Sequence, residues 1–433
     1  MRKLVVLLTL AIVVAFATSA YAEVQNVKVG GDIRIRPLYE NNIATLNDSI
    51  KKDDFGYIQQ RTRVIVEADL TDNVAVCTAV EAESYWGYPE DVFSAIPGLN
   101  VRKEWNAGFS EAWVQMSELY YSPLTAKIGR QYLNYGTGFI ISSKEYENNF
   151  DAVRAILDFD PWTIDVVYSK LIETLGYDSW DAAMGVDPAD ILNDKDIDLW
   201  GANVRYGADT WTAEGYIWYQ NDGGYKFSDG SKAKLKPYIF GVRGDITPID
   251  NLDIWGEVCY EKGHIGSEKL AAFGADVGAV YTFGDIAWVP AIGAGWTWGQ
   301  GKKDKADFYE FYEYNYYGYA YSPMVSNIHI INVNLSVEPI EKLALIVDYY
   351  HYLQDKSQAM IMGDPTQDNG GVMAMTNGKK KTLGNEVDLI AEYDYTEDVS
   401  TQLYLAWFFP GDAYSKPNKD DAYEVRGEVI VSF

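Results

Sequence analysis

Long hydrophobic runs and histidine are scarce in this chain of 433 residues. Beyond one apolar run from Leu4 to Phe16, no stretch approaches the roughly 18 consecutive apolar residues of a membrane-spanning helix, which excludes a helical membrane protein. The three histidines, His264, His329 and His351, have no metal-ligand spacing between them, so the sequence predicts no metal site. No motif for a cofactor is present, and we expect no cofactor.

Positive charge is also scarce. The chain has 36 lysines and arginines but 63 aspartates and glutamates, which gives a net charge of −27. A surface that binds nucleic acid needs clustered basic side chains, so the composition argues against a nucleic-acid partner. The acidic groups could bind divalent cations or the cationic counterions of surface lipopolysaccharide. The simpler interpretation is that they form solvated loops that keep the chain soluble on its way to the membrane.

The N-terminus has the three parts of a secretory signal peptide. Arg2 and Lys3 supply positive charge, the apolar run follows, and Ala20-Tyr21-Ala22 forms the small-residue cleavage pattern. We therefore expect residues 1–22 to be removed and residues 23–433 to form one mature domain.

Aromatic residues are abundant: they make up 15% of the chain, with 34 tyrosines and 13 tryptophans, yet the mean hydropathy is only −0.20. In a soluble protein, so many large rings would form a big apolar core and raise the hydropathy. Here they alternate with charged residues along short segments. That mixture is typical of a wall with lipid outside, water inside and aromatic girdles at both membrane interfaces.

Apolar and charged residues alternate along most of the chain with the two-residue period of a β-strand. In the first such segment, Val27 and Val29 alternate with Lys28, and Ile33 alternates with Asp32 and Arg34. Division of the chain at turn signals predicts eighteen strands, with sixteen as the fallback count. They are 27–39, 57–70, 73–85, 108–121, 124–132, 150–159, 162–172, 197–207, 210–220, 235–246, 252–264, 270–283, 287–299, 327–338, 343–353, 383–395, 399–409 and 422–433.

The connections between these strands alternate between short and long. Turns such as Thr71-Asp72 and Asp160-Pro161 are short, whereas the connections at 41–56, 174–196, 301–326 and 354–382 are long. Short periplasmic turns and long surface loops produce this asymmetry in a transmembrane antiparallel β-barrel. The predicted fold is therefore all-β, an outer-membrane barrel wide enough to enclose a water-filled channel.

The C-terminal residue also favours insertion into the outer membrane. Phe433 ends the chain, and Val429 and Val431 precede it at alternate positions. This pattern resembles the signal that the outer-membrane assembly machinery reads. We expect that machinery, the lipid bilayer and lipopolysaccharide as partners.

The two cysteines are predicted to remain free thiols. Cys77 and Cys259 fall on the third and eleventh predicted strands, on roughly opposite walls, with both side chains facing inward. A disulfide needs Cα atoms within about 7 Å of each other.

Arginine is concentrated on the predicted strands and lysine in the loops. Arg34 and Arg36 on the first strand neighbour Arg61 and Arg63 on the second, and all four are predicted to point inward. Four guanidinium groups on one wall form a surface suited to carboxylate or sulfate groups, because the planar fork of each group can bind both oxygens.

The same arginines also have a structural interpretation. Inward acids such as Asp32 and Glu67 could pair with them and hold the barrel rigid. Because the first and last strands meet on closure, Glu424 and Glu428 are candidates to neutralise Arg34 or Arg36. Both interpretations remain open from the sequence.

Several short motifs resemble the alginate export family of outer-membrane barrels. They are Gly129-Arg130-Gln131, Tyr135-Gly136, Phe150-Asp151-Ala152-Val153-Arg154, the pair Arg61 and Arg63 before Glu67-Ala68-Asp69, Leu383-Gly384-Asn385-Glu386-Val387-Asp388-Leu389 and Phe408-Phe409-Pro410-Gly411. The resemblance implies an eighteen-stranded channel whose basic lumen passes an anionic polysaccharide. It assigns to the conduit Arg61, Arg63, Arg130 and Arg154, with Glu386 and Asp388 as opposing carboxylates that order the lumen.

Two departures from the family pattern are present. Ala152 stands where the family usually has glycine, which is a small change. The acidity of the chain is the larger departure, because a strongly negative lumen would repel a polyuronate unless the acids lie mainly in loops.

Three other features are weighed against this function. The aromatic run from Phe308 to Tyr317 could form a sugar-stacking platform, constrict the channel mouth or pack on neighbouring loops, and we favour packing. The acidic stretch 187–198 lacks the glycine and terminal glutamate of a calcium loop. A hydrolase would need a serine or aspartate beside a histidine, and no motif frames His264 or His351, so we predict no enzyme.

The leading prediction is the passage of an anionic poly- or oligosaccharide through an arginine-containing lumen without chemical change. The alternative is a general diffusion porin for small polar solutes. An outer-membrane enzyme or an adhesion barrel is the least favoured interpretation.

Overall fold

Eighteen antiparallel β-strands form the protein, and each pairs with its neighbours in the sequence. The computed structural model describes residues 25–50, 53–87, 105–143, 149–172, 196–222, 235–266, 268–302, 305–312, 317–359 and 375–433. The strands are β1 Gln25–Asn41, β2 Asp54–Thr71, β3 Val74–Tyr85, β4 Asn106–Met116, β5 Leu124–Gln131, β6 Phe150–Phe159, β7 Trp162–Ile172, β8 Ile197–Gly207, β9 Trp211–Asp222, β10 Tyr238–Ile249, β11 Leu252–Ile265, β12 Glu268–Thr282, β13 Ala291–Gly299, β14 Ile328–Ile340, β15 Leu343–Gln354, β16 Thr382–Asp394, β17 Val399–Pro410 and β18 Ala422–Ser432.

Some predictions fall on other parts of the chain. The predicted signal peptide at 1–22 lies outside the described residues, as do most of the predicted loop 174–196, most of the acidic stretch 187–198 and residues 313–316 of the aromatic run. Within the described ranges, no helix is long and apolar enough to cross a membrane.

The sheet closes on itself because β1 pairs with β18 as well as with β2. Ile33 lies opposite Val431 in this seam. At its end, the N–H of Gly31 donates to the carbonyl of Phe433 at 2.9 Å, and the N–H of Phe433 donates to the carbonyl of Gly31 at 3.1 Å. Closure leaves no unpaired sheet edge. The predicted all-β barrel and the count of eighteen strands are confirmed.

Most predicted strand ends lie within three residues of the observed ones, but two are wrong by four residues or more, and left-handed backbone explains both. The fourth strand was predicted to reach residue 121 but stops at Met116, because Glu118, Tyr120 and Tyr121 have φ of 52°, 55° and 59° and the chain turns through a short 3-10 segment. The thirteenth was predicted to start at 287 but starts at Ala291, since Trp288 has φ of 70° in the preceding turn.

Side chains alternate between an apolar outer face and a polar inner face, as the two-residue period requires. On β1, Val27 and Val29 are 54% and 66% exposed, whereas Asp32 and Arg34 are 7% and 4% exposed. This is the pattern of a wall with lipid on one side and a polar lumen on the other. Cys77 and Cys259 are both buried, and within the described residues they form no disulfide.

Aromatic pairs lie at both ends of the outer face. At the end with short turns, Trp162 contacts Tyr206 with ring centroids 5.0 Å apart. At the end with long loops, Tyr219 stacks on Tyr238 at 4.2 Å. These pairs agree with the two predicted girdles.

The long-loop end of the lumen is not empty. Two segments fold into it, 132–143 after β5 and the described parts of 300–327 after β13, and we call them the inner loops. Phe139 stacks on Phe308 with centroids 5.8 Å apart, and the N–H of Tyr312 donates to the carbonyl of Ile140 at 3.0 Å. The described part of the aromatic run therefore packs on a neighbouring loop, which is the favoured interpretation, and it does so inside the channel mouth, which the constriction interpretation also expected.

Exposed carboxylates line the short-turn end of the barrel. Each of the eight short turns carries one, namely Asp72, Glu118, Asp160, Asp209, Asp250, Asp285, Glu341 and Glu397. The connections at the other end are long except between β11 and β12, which only residues 266 and 267 separate.

Candidate channel lining

Five arginines gather on three adjacent strands at the seam of the barrel. They are Arg34 and Arg36 on β1, Arg61 and Arg63 on β2, and Arg426 on β18, and we call them the arginine wall. Their even spacing along each strand directs them to the inner face, and Arg34 lies directly opposite Arg61. All five are only 4–6% exposed, so neighbouring side chains cover most of their surface.

Carboxylates are built into the arginine wall. Asp32 on β1 accepts hydrogen bonds from Arg61 and Arg63, both at 2.9 Å. Glu428 on β18 accepts one from Arg36 at 2.5 Å, which is one of the pairings expected at closure. Glu424 pairs with Arg426 of its own strand at 2.8 Å. The wall is therefore a network of alternating charges rather than a purely basic surface.

Two tyrosine rings border the wall beside β18. The guanidinium of Arg426 lies 5.1 Å from the ring centroid of Tyr319 on an inner loop and 5.8 Å from that of Tyr404 on β17. The two rings contact each other with centroids 4.6 Å apart. The wall thus combines guanidinium groups with aromatic faces, and the sequence did not single out these tyrosines.

Arg154 lines the same lumen at a distance from the arginine wall. It extends inward from β6 and pairs with Asp165 on β7. The hydroxyl of Tyr135, on an inner loop, donates to the same carboxylate at 2.6 Å. This group anchors the inner loop to the lumen surface.

Arg130 does not lie in the lumen, so its predicted place in the conduit is wrong. On β5, Arg130 alternates with its neighbour Gln131, and Gln131 is 0% exposed and faces inward. Asp151, which lies opposite Arg130 on β6, shares a face with Val153, which is 46% exposed. That face is the outer one. Arg130 donates two hydrogen bonds of 2.8 Å to Asp151 at the long-loop end of the outer wall.

Glu386 and Asp388, the predicted ordering carboxylates, extend inward from β16 and are both 0% exposed. Glu386 accepts the backbone N–H groups of Tyr319 at 2.7 Å and Ala320 at 2.8 Å. It therefore holds an inner loop in place, which agrees with a role in ordering the lumen.

The other inner loop reaches the wall formed by β10 to β13. Thr137 donates to Asp276 on β12 at 3.1 Å. A Cβ at Gly136, which has φ of 58°, would come within 2.8 Å of Glu257 and 3.0 Å of Arg243, so only glycine fits this approach. The loop narrows the passage from that side. In the sequence, Tyr135-Gly136 was noted only as a motif of the family resemblance, and this close approach gives a structural reason for its glycine.

Within the described part of the chain, no group of three or more histidine, cysteine or acidic side chains is arranged to hold a metal ion.

Comparisons with known proteins agree with this architecture. A family model described as alginate export matches residues 25–427. No curated protein matches the sequence.

Several solved structures have a similar fold, and one of them is described as an outer membrane protein. OccAB4 of Acinetobacter baumannii has a TM-score of 0.59 at 12% identity, covering 96% of this chain and 100% of that one. OccK11 (OpdR) of Pseudomonas aeruginosa has a TM-score of 0.57 at 11% identity, covering 94% and 96%. The outer membrane protein OprD of the same organism has a TM-score of 0.57 at 12% identity, covering 96% and 97%. At this identity the likeness concerns the fold.

Proposed function

From the premise that this chain belongs to the alginate export family, we propose that its lumen passes an anionic poly- or oligosaccharide. The protein is an integral β-barrel of the outer membrane, and its family and fold are those of channels rather than enzymes. The finer claim concerns the solute and the side chains that meet it.

The observation that carries the proposal is the gathering of five guanidinium groups on β18, β1 and β2. Each presents the planar fork that suits a carboxylate of an acidic sugar. Tyr319 and Tyr404 add aromatic faces beside Arg426. The carboxylate of a charged sugar moving along this wall would compete with wall carboxylates such as Asp32 and Glu428 for the guanidinium groups.

The built-in carboxylates fit transport better than tight binding. Conduction requires sites favourable enough to enter and weak enough to leave. Five arginines without anions would hold a polyanion too firmly. Because each sugar carboxylate must compete with an acid already on the wall, every binding site is shallow and release is fast.

A second candidate is a diffusion channel for small polar solutes, and two observations favour it. The wall arginines are only 4–6% exposed. In addition, each of the eight short turns, which we assign to the periplasm, carries an exposed carboxylate. Acidic groups at that mouth would attract cations and oppose the entry of anions.

Conductance in planar bilayers separates the two candidates. The lumen variant carries Arg34→Gln, Arg36→Gln, Arg61→Gln and Arg63→Gln, and Arg130→Gln on the outer wall is the control. Under the proposal, oligouronates block the native channel and the control, and the lumen variant loses this block and shifts its reversal potential toward cations. If oligouronates never block the native channel, or block the lumen variant equally well, the diffusion channel is correct.

A further inference from the structure

The outer faces of β9 to β13 carry almost no charge. From Trp211 on β9 to Trp298 on β13, the outward positions hold apolar, aromatic or small polar side chains, with one group of exceptions. The exceptions lie at the long-loop end of β10, β11 and β12. They are Lys236, Lys262, His264 and Lys269, and we call them the basic rim.

The strand register brings the basic rim together. His264 lies opposite Lys269 on β12. On its other side, the N–H of Lys236 donates to the carbonyl of His264 at 3.0 Å. Lys262 lies two residues before His264 and therefore on the same face of β11. Lys236, two residues before outward Tyr238, continues the outer face of β10.

The height of the basic rim relative to the membrane follows from the aromatic rings beside it. Lys262 lies opposite Tyr238, which stacks on Tyr219. Tyr260, the next outward residue on β11, contacts Phe273 at 4.8 Å. Such rings mark the boundary between acyl chains and headgroups. Lys262 lies level with Tyr238, and Lys236 and Lys269 lie on the long-loop side of these rings, so all three lysines lie at the level of the lipid headgroups.

The acidic groups near the basic rim do not neutralise its positive charge. Glu261 faces inward, is 0% exposed and accepts the N–H of Tyr309. Glu268 is exposed beside Lys269 but faces the opposite side of β12. Within the described ranges, no carboxylate forms an ion pair with Lys236, Lys262 or Lys269. The charges on the outer wall at Arg130 and Asp151, by contrast, neutralise each other.

The side chains of the basic rim are open to the surroundings. The connection between β11 and β12 has only two residues, so no long loop joins these two strands at the basic rim. All three lysines are exposed.

We propose that the basic rim binds the phosphate groups of anionic glycolipid headgroups in the outer leaflet. Three ammonium groups on the otherwise uncharged outer face of β9 to β13, in a chain with a net charge of −27, form a local site for phosphate at the level where headgroups lie. A lysine near an anionic membrane surface contributes about 1 kcal/mol, or about fivefold in affinity. The three together should contribute about a hundredfold. This site is independent of what the lumen passes.

Native mass spectrometry of the folded, detergent-solubilised barrel tests the proposal with two probes, a purified diphosphorylated lipid A and the same glycolipid after removal of its phosphates. The variant carries Lys236→Gln, Lys262→Gln and Lys269→Gln. The control carries Lys379→Gln, Lys380→Gln and Lys416→Gln, which removes the same charge from exposed loops.

The native barrel and the control should retain the phosphorylated probe, and the variant should retain it about a hundredfold more weakly. The dephosphorylated probe should bind all three weakly and equally. If the variant does not fold, Lys262→Gln alone should weaken retention about fivefold. Equal retention of the phosphorylated probe by the native barrel and the folded variant would overturn the proposal, as would equal retention of both probes by the native barrel.

Discussion

Removing the carboxylate of Asp32 should destabilise the barrel far more than removing an equally well-bonded carboxylate on its surface. Asp32 accepts 2.9 Å hydrogen bonds from both Arg61 and Arg63, and the three side chains are 7–9% exposed. Asp32→Asn keeps the shape of the side chain but leaves two buried guanidinium groups without their shared anion.

The expected cost follows from these contacts. Each charged hydrogen bond contributes about 1.5–3 kcal/mol when buried, and loss of one partner of a buried pair typically costs about 3–5 kcal/mol. Both arginines have further interactions, so we expect the lower end, about 3 kcal/mol.

Asp151→Asn is the matched control. Asp151 also accepts two hydrogen bonds, both of 2.8 Å, from Arg130, but these side chains are 54% and 40% exposed. A pair so open to solvent contributes about 0–1 kcal/mol.

Urea unfolding in lipid vesicles measures the free energy of unfolding of both variants. The comparison is valid if the slope of that free energy against urea concentration is the same as in the native barrel. Equal losses of stability in the two variants would refute the reasoning. Asp32→Asn should also shift the reversal potential toward anions, because it leaves a net positive charge on the arginine wall.

Three further outcomes are expected. A cysteine at Lys380 should react with an impermeant thiol reagent on whole cells, whereas one at Asp72 should not; the opposite result would invert the topology. Phe433→Ser should lower the folded level in the outer membrane, because it removes the terminal aromatic ring of the alternating apolar pattern, while conductance of inserted barrels stays native because the backbone bonds to Gly31 remain; an unchanged folded yield would contradict a role in assembly. Burial raises the pKa of Asp307 on an inner loop, so the folded state holds that proton more tightly than the unfolded state and the loop gains stability as pH falls through the raised pKa. Protease cleavage of the loop should therefore be slower at about pH 5 than at about pH 8, measured with a protease active at both values, and Asp307→Asn should remove the difference.

The strands could be predicted from the sequence because their two faces meet different solvents. The alternation on β1 and β18 identified their inward residues, and an even strand count brought them together. Those two facts predicted ion pairs across the seam without choosing among Arg34, Arg36, Glu424 and Glu428, and Arg36 with Glu428 is one of the possible pairs.

Arg130 shows where this reasoning stops. On β5, Lys127 and Arg130 fall on opposite faces, and Thr125 and Ala126 do not distinguish lipid from lumen. Polarity alone therefore could not orient the strand. The pairing with β6 orients it, because Val153 shares the face of Asp151.

The inner loops could not be placed from the sequence because they have no periodicity. Their positions depend on single contacts between residues far apart in the chain, such as Glu386 with the N–H of Tyr319. The sequence singled out Glu386, but its contact became clear only in three dimensions.

The arginine wall is divided between the first two strands and the last one, and this has a consequence for how the barrel is made. Arg36 and Glu428 are 392 positions apart in the chain, so no partly folded intermediate that lacks β18 can contain their bond. Contacts of such long sequence separation form late, because the entropy of closing the loop must be met first. Until then Arg36 lacks its partner across the seam. The seam ion pair is thus a marker of completed folding, and a spectroscopic probe beside it would report the moment when the last strand joins the first.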